Sequence, residues 1–423
     1  MISLEEDMLI SKKKLCSCSF FSILILYGLS RGSWGNVIPY TIWQSLVLLA
    51  GVYFGVCTLG VLKGSGNYYM LLCITLVFIV LMFNNYNLKN RDIYYESTFI
   101  TLMLLSVSMI NRPEWIKWSY KLMCIMGFFY ALMTLVSFLS KSFYDTIMFP
   151  FISNYSTTTK YLSLSDYYAG GFTTHYSTNG MFVTLGVCMT CGRLIDLKEF
   201  SARKKFGRVC IVLLMLVALL LTNKRAHILF TCAGMLVCYY LYNSNRPVGR
   251  IGKIMGLLFG VVIFAYILYS IAPDTLRFLD RFAEEKAKGD VSSNRFMLWG
   301  LASVMLKGNY ILGNGWFSFY YKYSYHVHNV YLQLLTEVGV VGSVFFYIFM
   351  ALNYYRVAHR FIQSRRNQIE LGDDGERRLA ISIIYQTFFL LYGITGTCLY
   401  ELQTLIPYII MCAVGEYYWY NGK

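Results

Sequence analysis

The sequence predicts an all-α fold, a polytopic membrane bundle of about twelve transmembrane helices under the hydropathy rule. Composition is the first reason. The chain has 423 residues, 57% hydrophobic and only 14% charged, whereas a soluble domain carries about a quarter charged residues. Length of the apolar runs is the second, because runs of about 17 to 25 residues recur throughout and each can cross roughly 30 Å of hydrocarbon. The placement of lysine and arginine is the third, since it divides the connecting segments into a basic set and a non-basic set.

The expected spans lie near 15–30, 38–62, 68–84, 94–110, 119–140, 171–192, 208–222, 226–242, 254–272, 329–354, 379–399 and 402–419. The first follows Lys12, Lys13 and Lys14 and lacks a small-x-small cleavage site, so it reads as an uncleaved helix. Those lysines fall on one side together with Lys198, Arg203, Lys204, Lys205 and Arg208, with Arg246, Arg250 and Lys253, and with the run from Arg356 through Arg378. That side is the cytoplasm by the positive-inside rule, and both termini are expected there. The net charge of +15 then reflects topology and contact with anionic lipid. Nucleic-acid binding is not expected, because no basic soluble domain exists to perform it.

The whole chain, 1–423, reads as one integral membrane domain with two long external segments, about 141–170 and about 273–327. The second separates the ninth and tenth spans, and 273–328 is expected to carry an interfacial helix and part of the site. Asp290, Ser292 and Ser293 offer caps. Arg295 to Lys307 is apolar enough to lie in the interface as a helix. Gly313-Asn314-Gly315 signals a turn, and the aromatic run Trp316–Tyr325 suits the headgroup level. Twelve cysteines sit almost entirely within spans, where they act as small hydrophobes. Cys188-x-x-Cys191 and Cys16-x-Cys18 lack the companions of a metal site.

Candidate chemistry gathers where the tenth span begins. His328 near the outer end of a membrane helix can take a proton close to neutral pH. Helical spacing from Asn329 brings Gln333 and Glu337 onto one stripe. Such a stripe should face the bundle interior or a water-filled cavity, while Gly339 and Gly342 permit close helix approach. Alternatively, the histidine and amide merely bond neighbouring helices. Arg225, beside Lys224, occupies the short external turn after the seventh span, and Arg295 lies in the large loop behind Arg277 and Arg281. These cations break the positive-inside trend. Arginine binds phosphate bidentately, so paired arginines would hold a diphosphate and stabilise charge as it leaves; headgroup contact by snorkelling is the alternative. At the mouth of the sixth span, Thr174, His175, Ser177 and Asn179 could hold sugar hydroxyls, or could be an ordinary helix start capped by Thr173 or Thr174. No phosphate loop, metal motif or serine elbow is present.

The order His328-Asn329-x9-Gly339-x-x-Gly342, preceded by Asn294-Arg295, Leu298-Trp299 and Gly313-x-Gly315 and, earlier, by Arg225, resembles the O-antigen ligase and polymerase family of bacterial surface-polysaccharide assembly. The resemblance is specific from about 209 to 350. It departs at Asn223-Lys224, where a serine is more usual before the arginine, and at the additional His326. It implies a multi-pass protein of the bacterial cytoplasmic (inner) membrane that transfers glycan from an undecaprenyl-diphosphate carrier at the external face, with no metal or other cofactor. By the same matching, His328 is the general base, and Arg225 and Arg295 hold the donor diphosphate. From the residues themselves, apart from the matching, Asn329, Gln333, Glu337, Lys224 and His326 are expected to support them. Expected partners are the lipid-linked oligosaccharide, membrane lipids, a flippase and a chain-length regulator. The first functional reading is a repeat-unit polymerase for capsule, exopolysaccharide or O-antigen. The second is a ligase to lipid A-core or protein. A third, of another class, is an oligosaccharide flippase, which should line a central cavity with charges rather than gather them at one mouth.

Overall fold

The computed structural model describes residues 22, 40–62, 68–82, 92–153, 169–173, 175–194, 201–244 and 294–421. The expected first and ninth spans lie outside these residues, apart from residue 22. So do Lys12–Lys14, Lys198, Arg246, Arg250, Lys253, Arg277, Arg281, Asp290, Ser292, Ser293, Thr174, Cys16 and Cys18.

Among the described residues every regular element is a helix, and there are no strands. The ten remaining expected spans coincide with α1 (Tyr40–Leu62), α2 (Tyr68–Met82), α3 (Asp92–Met109), α4 (Pro113–Leu139), α5 (Tyr176–Cys191), α6 (Ala202–Leu221), α7 (Arg225–Tyr242), α10 (Val330–Arg365), α11 (Gly372–Tyr392) and α12 (Leu402–Asn421). Two shorter helices, α8 (Arg295–Leu306) and α9 (Ser318–Tyr323), precede α10. Three helices are long and apolar enough, by length and composition alone, to cross a membrane: Thr41–Leu59, Pro113–Leu139 and Val330–Arg365.

The hydrophobic positions decide what packs on what. α12 is buried almost all round, from Leu402 to Val414, as expected of a helix that is apolar on every side. It touches α3, α4, α5, α10 and α11 and forms the axis of the bundle. α1 lies along α3, α4 along α5, and α7 along α11. At the α4–α5 crossing a Cβ on Gly186 would lie 2.8 Å from the Gly127 carbonyl carbon, so small residues set that approach. By contrast, α1 exposes Leu49, Val52, Val56 and Leu59, the side of a helix that meets lipid.

Basic residues cluster at several helix ends. Arg203, Lys204, Lys205 and Arg208 open α6, and Arg356 to Arg378 spans the end of α10 and the start of α11. Arg365 joins these ends, with its guanidinium over the ring of Tyr242 at the close of α7. Part of this basic charge is neutralised internally rather than left for topology. Arg356 pairs with the fully buried Glu416, Arg365 with Glu376 at 2.9 Å, and Arg377 with Asp374. The tenth span therefore does not stop near 354; its helix continues to Arg365 because these pairs hold the extra turns. Likewise α11 starts earlier than expected, at Gly372, and ends earlier, at Tyr392. Residues 393–401, Gly-Ile-Thr-Gly-Thr-Cys-Leu-Tyr-Glu, leave the helix, consistent with two glycines and two threonines of low helix propensity.

Candidate active site at the His328 end

Arg295 is positioned by α8. Asn294 precedes it in the left-handed region (φ 64°), a conformation asparagine tolerates. The helix buries Leu298 and Ala302 against Phe319 and Val327 and exposes Phe296, Met297 and Val304. α8 thus has one apolar face packed on the protein and another exposed. The aromatic run after it divides. Tyr325 is exposed, but Trp316, Phe317 and Phe319 are buried, with Trp316 stacked between Phe346 and Tyr400. These three rings form core rather than a headgroup belt.

Between α8 and α9 the chain enters a break in α10. Gly339 has φ 62° and ψ −171° inside that helix, a combination open essentially to glycine alone. The break frees backbone groups, and residues 310–315 pair with them. Asn314 N–H donates to the Thr336 carbonyl at 3.0 Å and Gly315 N–H to that of Glu337 at 2.8 Å; Val340 N–H donates to the Tyr310 carbonyl at 3.1 Å and Val341 N–H to that of Ile311 at 3.2 Å. Gly313 sits so close that a Cβ there would lie 2.4 Å from the Glu337 carbonyl oxygen. Gly339 therefore admits a loop backbone rather than a neighbouring helix. Gly342 does face another helix, with Ile79 of α2 3.4 Å from a Cβ built there.

The polar stripe is formed, and it faces the protein interior. Gln333 and Glu337 are both 0% exposed. Gln333 Oε1 accepts the Val327 N–H at 3.2 Å, while its Nε2 meets His326 Nδ1 at 3.1 Å and Glu337 Oε1 at 2.9 Å. Tyr400 donates its hydroxyl to Glu337 Oε2 at 2.7 Å. Asn329 caps α10 by accepting the Leu332 N–H at 3.0 Å, and Val330 N–H donates to the Gly393 carbonyl at 2.7 Å. His328 itself has φ 54°, an uncommon conformation for a residue with a side chain. Hydrogen bonds on either side of it hold that conformation.

The two histidines differ in surroundings. His326 stacks on Tyr320 with centroids 4.9 Å apart and lies against Tyr400 at 5.4 Å. Burial lowers its pKa to about 4, with the neighbouring His328 adding to the effect. His328 is also lowered to about 4, first by burial and then by the charges of Arg295 and Lys224. The expectation of a base titrating near neutral pH is therefore corrected. Burial first, and then the two cations, disfavour the imidazolium, so His328 is a neutral ring at pH 7.

Lys224 and Arg225 are presented by the tight α6–α7 turn, where Asn223 takes φ 56°. Both are half-buried, and Arg225 is the first residue of α7. Lys224 Nζ lies 4.3 Å from the Tyr176 ring centroid. The structure thus brings Lys224 and Arg295 to bear on the same imidazole. Arg225 sits one residue from Lys224, at the helix N-terminus, where anions are favoured. Of the expected sugar rim, Thr174 lies outside the described residues. His175 is the helix N-cap, its Nδ1 accepting the Ser177 N–H at 3.1 Å. Asn179 is 0% exposed and ties α5 to α4 through Thr134 Oγ1 at 2.8 Å and to the Ala169 carbonyl at 2.8 Å. Ser177 lies against the Tyr392 hydroxyl.

The sequence reading missed the 393–401 segment, which it placed at the tip of a span. Tyr400 anchors Glu337, and Glu401 faces Lys224. Burial raises the Glu401 carboxyl above its usual range, opposed by a hydrogen bond from Thr397 and by the Lys224 charge. An acidic residue at the end of an apolar run, next to Gly-x-x-Gly, is the one signal that could have drawn attention to it. Among the described residues no three His, Cys, Asp or Glu side chains are placed to share a metal ion, and Cys188 and Cys191 are buried free thiols.

Fold and site together define a helical membrane protein with a basic, histidine-bearing end. Residues 210–347 match the family model described as O-Antigen ligase, a region that runs from α6 through the His328 turn into α10. Over that region the chain is similar to the O-antigen ligase family. No curated protein matches the chain.

Proposed function

We propose that the protein is an oligosaccharide repeat-unit polymerase. It takes glycan from an undecaprenyl-diphosphate donor and adds it to a lipid-linked acceptor at the external face of the bacterial cytoplasmic membrane, in capsule, exopolysaccharide or O-antigen synthesis. The observation that carries this reading is the neutral His328 imidazole under the influence of two cations from separate segments, Arg295 and Lys224. A base beside fixed positive charge suits a reaction in which a hydroxyl attacks and an anion departs.

In this reading the acceptor hydroxyl gives its proton to His328 and its oxygen bonds to the anomeric carbon of the donor. The bond from that carbon to the diphosphate oxygen breaks, and the electron pair leaves with undecaprenyl diphosphate. Arg225, Arg295 and Lys224 hold the departing charge. Direct displacement inverts the anomeric centre and needs no metal. In this reading Ser177 and His175, at the start of α5, would meet the sugar.

Purified protein given a synthetic undecaprenyl-diphosphate repeat unit should produce a ladder of longer glycans in the presence of EDTA. Transfer to lipid A-core with no ladder would reassign the protein as a ligase. A ladder from His328→Ala would remove His328 as the base.

A further inference from the structure

Glu337 is a junction of three segments. Its backbone carbonyl accepts the Gly315 N–H at 2.8 Å, from the loop that follows α8 and Arg295. One carboxylate oxygen accepts from Gln333 at 2.9 Å and the other from Tyr400 at 2.7 Å. Gln333 in turn fixes the turn ahead of α10, through Val327 N–H at 3.2 Å and His326 Nδ1 at 3.1 Å. Every link is buried or half-buried, and the chain ends one residue before His328, at a backbone held with positive φ. His326 cannot easily leave this arrangement, because Tyr320, Phe317 and Tyr400 enclose its ring.

A membrane helix gains nothing from a fully buried carboxylate unless its bonds fix something, since desolvating the charge is costly. What these bonds fix is the turn that carries His328. We propose that Tyr400 and Glu337 are positioning residues for glycan transfer: through Gln333 and His326 they hold the 326–328 turn so that the His328 ring faces Arg295 and Lys224. Tyr400 brings the last loop, 393–401, into the site although it touches no reacting atom. This inference rests on His328 being the base of the proposed reaction.

Among the described residues, the charged and titratable groups that bear on His328 include Arg295 from α8, Lys224 from the α6–α7 turn with Glu401 opposite it, and His326 on its own segment. If the turn relaxes, His328 leaves its buried site and the field of the two cations, and its pKa moves toward the ordinary histidine value, about 6.5. The test is the transfer assay on Tyr400→Phe and Glu337→Gln in lipid nanodiscs, read as kcat, donor KM, pH profile and melting temperature. The expected result is a kcat lower by roughly ten- to a hundred-fold, as for a sub-ångström to ångström misplacement, with donor KM nearly unchanged. The acid limb of kcat/KM should move upward, from near pH 4 toward about pH 6.5. Wild-type kcat and an unmoved limb in Tyr400→Phe would overturn the inference. So would a parallel loss of melting temperature, kcat and KM in both variants with the limb in place, which assigns the chain to packing. Should Tyr400→Phe not fold, Glu337→Gln decides by the same readouts. Absence of transfer by the wild-type protein removes the proposed function, and this inference with it. Wild-type transfer with unaffected variants removes the inference alone.

Discussion

Gly313 and Gly339 meet backbone to backbone: a Cβ on Gly339 would lie 2.5 Å from the Gly313 nitrogen, and one on Gly313 would lie 2.4 Å from the Gly339 nitrogen. The loop carrying Gly313 therefore lies inside the helix carrying Gly339. This contact ties the segment that presents Arg295 to the one that presents His328.

Alanine at either glycine should be severely destabilising. At Gly339 the backbone strain alone costs about 1–3 kcal/mol, and the contact with the Ile311 carbonyl oxygen, 2.3 Å from the added carbon, comes on top. Gly339→Ala should melt well below wild type in detergent and lose transfer. A wild-type melting temperature would show that the loop can leave the break without cost.

The pH profile should follow the neutral ring. His328 and His326 are both lowered to about 4, so transfer should hold level from pH 5 to 8 and fall only as pH approaches 4. Removing a cation raises the imidazole pKa, so Lys224→Met and Arg295→Met should each move the acid limb toward about pH 6.5. Linkage gives the matching stability trend. The unfolded chain binds more protons than the folded chain between about pH 6.5 and pH 4, so stability falls across that window on acidification. Melting temperature measured against pH checks it.

The two histidines should separate by mutation. His328→Ala should lower transfer by about 10²–10⁴-fold, the usual contribution of a general base, with folding intact. His326→Phe keeps a ring among Tyr320 and Tyr400 but loses the Gln333 contact. It should retain measurable transfer, reduced about ten-fold for a shifted base. Equal and complete loss in both would leave the base unassigned to His328.

Near the end of α10, Arg356→Met strands the Glu416 carboxylate, which is 0% exposed. Removing one partner of a buried pair costs about 3–5 kcal/mol. Replacing both, Arg356→Met with Glu416→Met, should recover most of that loss. Unfolding in mixed micelles distinguishes the two variants, and a double variant no better than the single would refute the pairing argument.

Much of this was legible because hydropathy depends on local sequence. The ten apolar runs within the described residues appear as helices, with α11 displaced toward the N-terminus, and His328 and Arg295 were reachable from residue type and position. The sequence paired them with Arg225, whereas the second charge bearing on the ring is that of Lys224. The rest depends on contacts between distant residues. Nothing near Gly339 in sequence announces that residues 310–315 will enter its helix. Gly393 to Thr397 read as the end of a span because Ile394, Cys398 and Leu399 keep the window apolar, yet glycine and threonine end α11 at Tyr392. The stripe from Asn329 to Glu337 was read correctly as turned from lipid. Its partners, Tyr400 and His326, arrive from a loop and a turn that periodicity does not describe. The His328 pKa could not be read from the sequence either, since it is set by burial and by charges about 30 and 100 positions away in the chain.

The broken helix bears on how such enzymes could be recombined. The 26 residues from Val340 to Arg365 rise about 39 Å, enough for the membrane without the turns before the break. Residues 294–342 are closed by their own loop-in-helix joint and tied to the segment around 390–400 through Leu390, Gly393 and Tyr400. A chimera that exchanges this segment together with 390–401 keeps each internal joint with its own partner. One that cuts between Arg295 and Gly339 separates the two halves of a lock.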